Sequence, residues 1–149
     1  MSLLILDTDH VSLVLRGHPK VVAHLEQAFV HTSTTIITIQ EIFNGWVGEL
    51  NQPKAKPKAI LDHYHHLYLA MALLKRLPIL EFDASAFDQY EDLLMQNPNL
   101  RKKRLQKDLR IAAIATHQES ALSLNATVVT RNRRDFELVP GLKIEDWTI

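Results

Sequence analysis

Short apolar or β-branched runs alternate with longer segments of helical periodicity along this chain, and the alternation constrains the fold more than any other feature. The predicted strands are residues 3–6, 34–38, 79–82, 126–130 and 142–144. The predicted helices are residues 11–15, 19–29, 59–77, 83–95 and 109–122. A further helix is predicted to start with a capping box at Thr38 and to end at an exposed connection over 51–57. Parallel strands require crossovers of this length. The pattern therefore predicts one α/β domain, residues 1–149, with a parallel sheet covered by helices on both faces.

The composition excludes several classes of protein. The chain is 46% hydrophobic and 23% charged, which is typical of a globular domain. It contains no cysteine, so disulfides, cysteine-bound zinc and thiol catalysis are excluded. Lysine and arginine together number 17, as do aspartate and glutamate, so affinity for nucleic acid would require a local basic patch. The N-terminus lacks the features of a signal peptide, and no apolar run is long enough for a membrane span. We therefore expect a soluble, cytoplasmic protein.

Carboxylates lie next to the ends of several predicted strands. Asp7 and Asp9 follow the first strand, Glu41 follows the second, Asp108 opens the helix before the fourth, and Asn132 and Asp135 follow the fourth. The carboxyl ends of parallel strands meet at one edge of a sheet, where ligands bind. Carboxylates that cluster there repel one another unless a cation lies among them, and oxygen ligands favour Mg²⁺ or Mn²⁺. The pattern therefore indicates a metal site that could activate water for phosphoryl displacement.

Each acid also has a structural explanation. Asp7 or Asp9 could cap the first helix, and Glu41 occupies the third position of the predicted capping box. Asp108 lies in or near a first helical turn, where the helix dipole favours an acid, and Asp135 could be an ordinary surface charge. The individual acids are weak indicators, and only their combined arrangement is specific.

This arrangement resembles the PIN-domain ribonucleases, and within them the VapC toxins of toxin–antitoxin pairs. The similar segments are residues 4–12, 35–45, 108–115 and 128–147, the last almost residue for residue. The resemblance implies a three-layer α/β/α sandwich with a parallel sheet of about five strands. It further implies a magnesium- or manganese-dependent endoribonuclease that cleaves single-stranded RNA regions. It also implies a homodimer and a small VapB-like antitoxin as partner.

The resemblance also implies roles for individual residues. By position, Asp7, Glu41 and Asp108 match the three central metal-binding acids of the family. The fourth acid is left open by the resemblance: many members have an aspartate where this chain has Asn132, whereas others have Thr-x-Asn followed by an acid before phenylalanine, which is the pattern here and points to Asp135. Asn132 remains a candidate ligand of metal, water or phosphate. Asp9 stands where relatives often have asparagine, and whether it takes part in the site is left open.

Two basic clusters adjoin these acids. The first comprises Arg101, Lys102, Lys103 and Arg104, with Lys107 close behind, and the second comprises Arg131, Arg133 and Arg134. If the acids converge, both clusters border the metal site and are predicted to bind RNA phosphates. The alternative is that they are solvated loops. No aromatic residues are interleaved to indicate base stacking.

Two other functions compete with the ribonuclease. The first is a phosphatase of the haloacid dehalogenase type, with Asp7 as nucleophile and Asp9 as acid/base. The second is a non-catalytic PIN-like module that binds RNA or protein. The histidines at 63, 65 and 66 are interpreted as helix surface, because a helix turns residues 63 and 65 apart by about 200°. A separate set of residues on the same predicted helix is interpreted as a core or interface stripe that could also form a groove for a partner helix: Tyr64, Leu67, Tyr68 and Met71.

Overall fold

A five-stranded parallel sheet forms the centre of the protein, with the strand order β3-β2-β1-β4-β5. The structure, a computed structural model, describes residues 2–52, 56–122 and 125–149. The strands are β1 (Ser2–Leu6), β2 (Thr32–Thr35), β3 (Ile79–Leu80), β4 (Asn125–Val129) and β5 (Lys143–Glu145). The central strand β1 pairs with β2 in the register Leu4–Thr32 and with β4 in the register Leu6–Val129.

Helices cover both faces of this sheet. They are α1 (Thr8–Leu15), α2 (Pro19–Ala28), α3 (Ile36–Leu50), α4 (Pro57–Leu74), α5 (Ala84–Gln96), α6 (Gln106–Leu122) and the single turn α7 (Arg133–Phe136). Short 3-10 turns lie at Phe29–His31, Pro98–Arg101 and Lys103–Leu105. None of the helices in the described ranges is long and apolar enough to cross a lipid bilayer.

Successive residues of the central strands enter opposite hydrophobic layers. Ile5 and Val128 pack into the layer that α5 and α6 supply, whereas Leu6 and Val129 pack into the layer of α1, α2 and α4. This follows from the period of two in a strand, and it explains why the strands are continuously apolar rather than alternating. The predicted three-layer α/β/α sandwich with a five-stranded parallel sheet is confirmed.

The predicted boundary between the second strand and the third helix was wrong. Residues 36–38 are helical, and the strand ends at Thr35. Thr35 is the N-cap, because its Oγ1 accepts a hydrogen bond from the Thr38 backbone N–H at 3.2 Å. The N-cap therefore lies three residues before the expected position, and the predicted capping box of Thr38 and Glu41 is not formed. As a result, Glu41 lies in the second turn of α3.

Smaller differences concern the ends of elements. Helix α4 ends at Leu74 rather than at residue 77, and β3 is limited to two residues. The polar turn expected over 131–135 contains the helical turn α7. Part of the connection expected over 51–57, residues 53–55, lies outside the described residues.

Candidate metal centre and nucleic-acid interface

Asp7 stands at the junction between β1 and α1 and has the capping role considered for it. Its backbone N–H donates to Val129 O at 3.1 Å, which extends the pairing with β4. Its carboxylate caps α1 by accepting a hydrogen bond from the His10 backbone N–H at 2.8 Å. The side chain is buried at the carboxyl end of the central strand. Capping thus holds the carboxylate at the edge of the sheet where ligands bind.

Glu41 reaches the same edge from α3. The Thr8 hydroxyl donates to Glu41 Oε1 at 2.7 Å. Because a hydroxyl carries one proton, the 3.2 Å contact between the Thr8 and Thr38 hydroxyls is donated by Thr38. Lys107 Nζ lies 4.0 Å from Glu41 Oε2. These contacts orient the glutamate toward α1 and α6.

Asp108 and Asp135 are joined by one amide. Asn132 Nδ2 donates to Asp108 Oδ2 at 2.9 Å and to Asp135 Oδ2 at 3.0 Å. Asp108 lies in the first turn of α6 and Asp135 lies in α7, so the Asn132 side chain links two helices that are separated in the chain by β4. In this arrangement Asn132 presents its donor to the acids, and ligation through Oδ1 would require the amide to turn.

The pKa of Asp108 indicates that Asp7, Glu41 and Asp135 lie close enough to act on its charge. Burial, followed by the negative charges of Asp7, Glu41 and Asp135, raises the pKa of Asp108 to about 6, although the hydrogen bond from Asn132 acts in the opposite direction. Carboxylates that repel one another in this way are stabilised by a divalent cation with oxygen ligands. The donor set therefore fits Mg²⁺ or Mn²⁺.

A second, more compact group of possible ligands occurs beside Asp7. Within residues 2–52, 56–122 and 125–149, Asp7, Asp9 and His10 are the one group of three or more candidates whose ligand atoms all lie within 4.8 Å of one another. However, Asp9 accepts two hydrogen bonds from Arg131, at 2.7 and 2.8 Å. Among the described residues, the four acids Asp7, Glu41, Asp108 and Asp135 do not form such a compact group. They are therefore spread over a wider site than one ion with four direct carboxylate ligands would need.

Part of the first basic cluster lies beside two of the acids. Lys103, Arg104 and Lys107 line a cleft of about 460 Å³ together with Glu41 and Asp108. Arg101, Lys102 and Lys103 line a neighbouring cleft of about 260 Å³. These side chains are placed where phosphates could approach the acids.

Several of the predicted phosphate-binding residues are paired with acids. Burial alone would raise the pKa of Asp135, but hydrogen bonds from Arg104 and Asn132 and the charges of Arg104 and Arg134 hold that pKa below its usual value. Arg104 Nη1 lies 2.6 Å from Asp135 Oδ1. Arg133 pairs with Glu137 at 3.3 Å on the same helical turn. Both clusters thus contain residues that form ion pairs within the protein, Arg104 and Lys107 in the first and Arg131 and Arg133 in the second.

A groove of about 400 Å³ extends away from the acids between α1, α3 and α4. It runs from Thr8 and Glu41 to Trp46 and His63. Trp46 stacks on His66 with ring centroids 5.2 Å apart and lies 5.5 Å from His63. Contact with Trp46 accounts for these two histidines, which the sequence indicated only as helix surface. Trp46, an aromatic side chain in the same groove as Glu41, was not predicted as part of the site from the sequence.

Thr8 and His10 were also missed as parts of the site. Both contact an acid, and both stand in the segment that follows β1. Their partners at Glu41 and Trp147 are distant in sequence, so spacing alone provided no signal.

Comparison with known proteins defines the class of fold. No protein-family model matches the chain, and none of the curated proteins is similar to it in sequence. Among solved structures, it is similar to DNA-bound VapBC from Salmonella typhimurium, with 22% identity over 99% of both chains and a TM-score of 0.74. VapBC-1 from nontypeable Haemophilus influenzae has 19% identity over 99% of both chains and a TM-score of 0.73. FitAcB from Neisseria gonorrhoeae has 24% identity over 97% of this chain and 98% of that one, with a TM-score of 0.71.

These similarities confirm the predicted PIN-like fold over almost the whole chain. The particular structures it is similar to are VapBC and FitAB complexes, which confirms the resemblance to VapC-like proteins at the level of the fold.

Proposed function

We propose that the protein is a metal-dependent endoribonuclease that cleaves single-stranded RNA regions and acts as the toxin of a type II toxin–antitoxin pair. The observation that carries the proposal is the convergence of three negative charges on Asp108, whose pKa they help to raise to about 6. A cleft lined by Lys103, Arg104 and Lys107 lies alongside these acids. A negatively charged centre with a basic border suits a bound cation and a polyanionic substrate.

In this proposal Asp7, Glu41, Asp108 and Asp135 hold the metal, with Asn132 as a further candidate. The bound ion would lower the pKa of a water molecule and stabilise negative charge on the phosphate. The protein itself contributes orientation. The Thr8 hydroxyl fixes Glu41, and the Asn132 amide fixes Asp108 relative to Asp135.

The basic residues bind the RNA backbone in this proposal. The set is Arg101, Lys102, Lys103, Arg104, Arg131, Arg133 and Arg134, as predicted from the sequence. Lys103 and Arg104 adjoin Asp108 in the same cleft, which supports their part most directly. Arg131 forms a bidentate pair with Asp9, so its contribution requires that pair to open or to act as a unit.

The proposal that an antitoxin and a second copy are partners rests on the structural neighbours. Those neighbours are VapBC and FitAB proteins. Tyr64 and Tyr68 on α4 are exposed, which supports the groove for a partner helix considered above. A cytoplasmic location is part of the same proposal.

The experiment that tests the activity compares wild type with Asp108→Asn on a total-RNA pool in the presence of Mg²⁺, Mn²⁺ or EDTA. We expect metal-dependent cleavage by wild type, no cleavage by Asp108→Asn, and unimpaired cleavage by Asp83→Asn, which alters an acid that caps α5. Mapping of the new RNA ends would define the cut positions. Cleavage that persists in Asp108→Asn would refute the proposed site, and absence of cleavage with either metal would favour a non-catalytic binding module.

The phosphatase alternative is less well supported. It needs Asp9 as a free acid/base, whereas the Asp9 carboxylate is bound by Arg131. Phosphate release with an acid-stable phosphoenzyme on Asp7 would nevertheless establish that chemistry and overturn the nuclease.

A further inference from the structure

A buried histidine connects the last strand region to the first acid. His10 is fully buried on α1. Its ring Nδ1 lies 3.3 Å from Asp7 Oδ1. On the other side of the ring, Nε2 lies 3.3 Å from the backbone nitrogen of Trp147, just beyond β5. The imidazole therefore lies between Asp7 and a segment 137 residues further along the chain.

The contact with Trp147 determines which ring nitrogen carries the proton. A backbone N–H can only donate, so Nε2 must accept and is unprotonated. In a neutral imidazole the proton is then on Nδ1, which faces Asp7. Asp146 Oδ1 lies 3.8 Å from Nε2, but it already accepts two hydrogen bonds from Thr148, at 2.6 and 2.8 Å. Asp146 is thus satisfied without a proton on Nε2.

The two hydrogen bonds that Asp7 receives from residue 10 fall on the same oxygen. The His10 backbone N–H donates to Oδ1 at 2.8 Å, and the ring Nδ1 is 3.3 Å from that atom. In the part of the chain that the structure describes, Asp7 Oδ2 receives no hydrogen bond from the protein. The carboxylate is therefore held by one oxygen, and the other remains available as a ligand.

We propose that His10 is a positioning residue: its Nδ1–H and backbone N–H hold Asp7 Oδ1, so that Oδ2 is presented to the metal. Trp147 keeps the ring in the tautomer that donates. His10 does not ligate the metal itself, although it belongs to the compact group with Asp7 and Asp9. Both of its ring nitrogens are engaged, and the ring is buried. The inference rests on the proposed function, because it takes Asp7 as a metal ligand.

A purely structural role makes a different prediction. Trp147 is buried, its ring lies edge to face with the His10 ring with centroids 6.4 Å apart, and it stacks on the His24 ring with centroids 5.4 Å apart. If His10 only fills space beside Trp147, replacing it changes stability and leaves metal affinity unchanged. Hydrogen bonds to a ligating group, in contrast, typically affect metal affinity by about 10- to 100-fold.

The test measures Mn²⁺ binding to the RNA-free protein by EPR titration. His10→Phe fills the space without a donor, whereas His10→Asn places an amide N–H near the position of Nδ1. We expect affinity to fall about 10-fold or more in His10→Phe and to be largely restored in His10→Asn. His24→Phe, which keeps a ring against Trp147, is the matched control and should bind Mn²⁺ like wild type. Folding of each variant is checked by circular dichroism.

Two measurements on the wild-type protein test the role of His10 even if the variants do not fold. Long-range ¹H–¹⁵N NMR should find His10 protonated at Nδ1 and unprotonated at Nε2. Pulsed EPR of the Mn²⁺-loaded protein should show no nitrogen coupled directly to the metal. The opposite tautomer, or a coordinated imidazole nitrogen, overturns the proposal.

Failure of this inference can be distinguished from failure of the proposed function. If Asp108→Asn weakens Mn²⁺ binding but a folded His10→Phe does not, only the role of His10 is refuted. If neither Asp108→Asn nor Asp7→Asn changes Mn²⁺ binding, the metal site is refuted and the role of His10 with it.

Discussion

Replacing Asp7 by asparagine should stabilise the metal-free protein at neutral pH and leave it unchanged in mild acid. The substitution removes one of the charges that raise the pKa of Asp108. It preserves the helix cap, because asparagine is as good an N-cap as aspartate and its Oδ1 can accept the same hydrogen bond from the His10 backbone. The variant therefore separates repulsion from capping.

The size of the effect follows from the pKa of Asp108. A rise from 3.8 to about 6 corresponds to ~3 kcal/mol at face value. Because Asp108 is only partly buried, screening by solvent reduces this to roughly 1.5 kcal/mol. Burial contributes most to the raised pKa, and the charge of Asp7 contributes second. Removing the charge of Asp7 should therefore increase the free energy of unfolding by about 0.5 kcal/mol. In a domain of this size that is a rise in Tm of roughly 1–2 °C.

The pH dependence supplies the control. The raised pKa favours the protonated carboxyl in the folded state, so its contribution to stability is present below 3.8 and is lost as pH rises through about 6. The gain from Asp7→Asn should consequently be seen at pH 7.5 and largely disappear at pH 5.

The assay is thermal unfolding in EDTA at both pH values. Asp83→Asn, which alters the N-cap of α5, should show no such difference between the two pH values. Asp7→Ala also loses the cap and should be less stable than Asp7→Asn by about 1 kcal/mol. A loss of stability in Asp7→Asn at pH 7.5, or an equal gain at both pH values, would refute the reasoning.

Three further predictions concern contacts around the site. Thr35→Ala should lower the free energy of unfolding by about 1 kcal/mol through loss of the α3 cap, while Thr35→Ser should not; equal urea midpoints for the two variants would contradict this. Arg104→Glu should weaken binding of single-stranded RNA in EDTA and flatten its salt dependence, measured by fluorescence anisotropy; an unchanged slope, or an equal effect of Lys20→Glu on α2, would remove Arg104 from the interface. Arg104→Gln should raise the pKa of Asp135, because Arg104 holds that pKa below its usual value. The lowered pKa stabilises the folded protein above the ordinary pKa of an aspartate, and this stabilisation is lost as pH falls, so the variant should lose part of it. A carboxyl NMR titration would detect the rise in the pKa of Asp135, and an unchanged pKa would refute the prediction.

The sheet was predictable because its signal is repeated along the chain. Strands β1 and β4 end in apolar or β-branched runs, and the chain between successive strands is long enough for a helical crossover. The boundary at Thr35 was not predictable in the same way. Residues 36–38 are β-branched and resemble a strand, but the hydroxyl of Thr35 caps a helix there. Local propensity was overridden by that capping and by burial of Ile37.

The acids of the candidate site could be recognised in the sequence because they lie at or near the ends of strands and the starts of helices. The residues that orient them were not. Thr8 contacts Glu41 across 33 positions, and His10 contacts Trp147 across 137. Neither pair has a spacing that a local pattern can reveal. The pairing of Asp9 with Arg131 is likewise a product of the fold, and it distinguishes two carboxylates that are adjacent in the motif.

The contact between His10 and Trp147 has a consequence for how the protein is made on the ribosome. The segment that carries Asp7 is among the first to be synthesised, but its neighbours β4 and Trp147 are among the last. Throughout most of translation, the nascent chain therefore lacks the strand and the backbone N–H that complete the surroundings of Asp7. The surroundings of Asp7 are therefore completed only after residue 147 has been synthesised and has folded back onto the first helix.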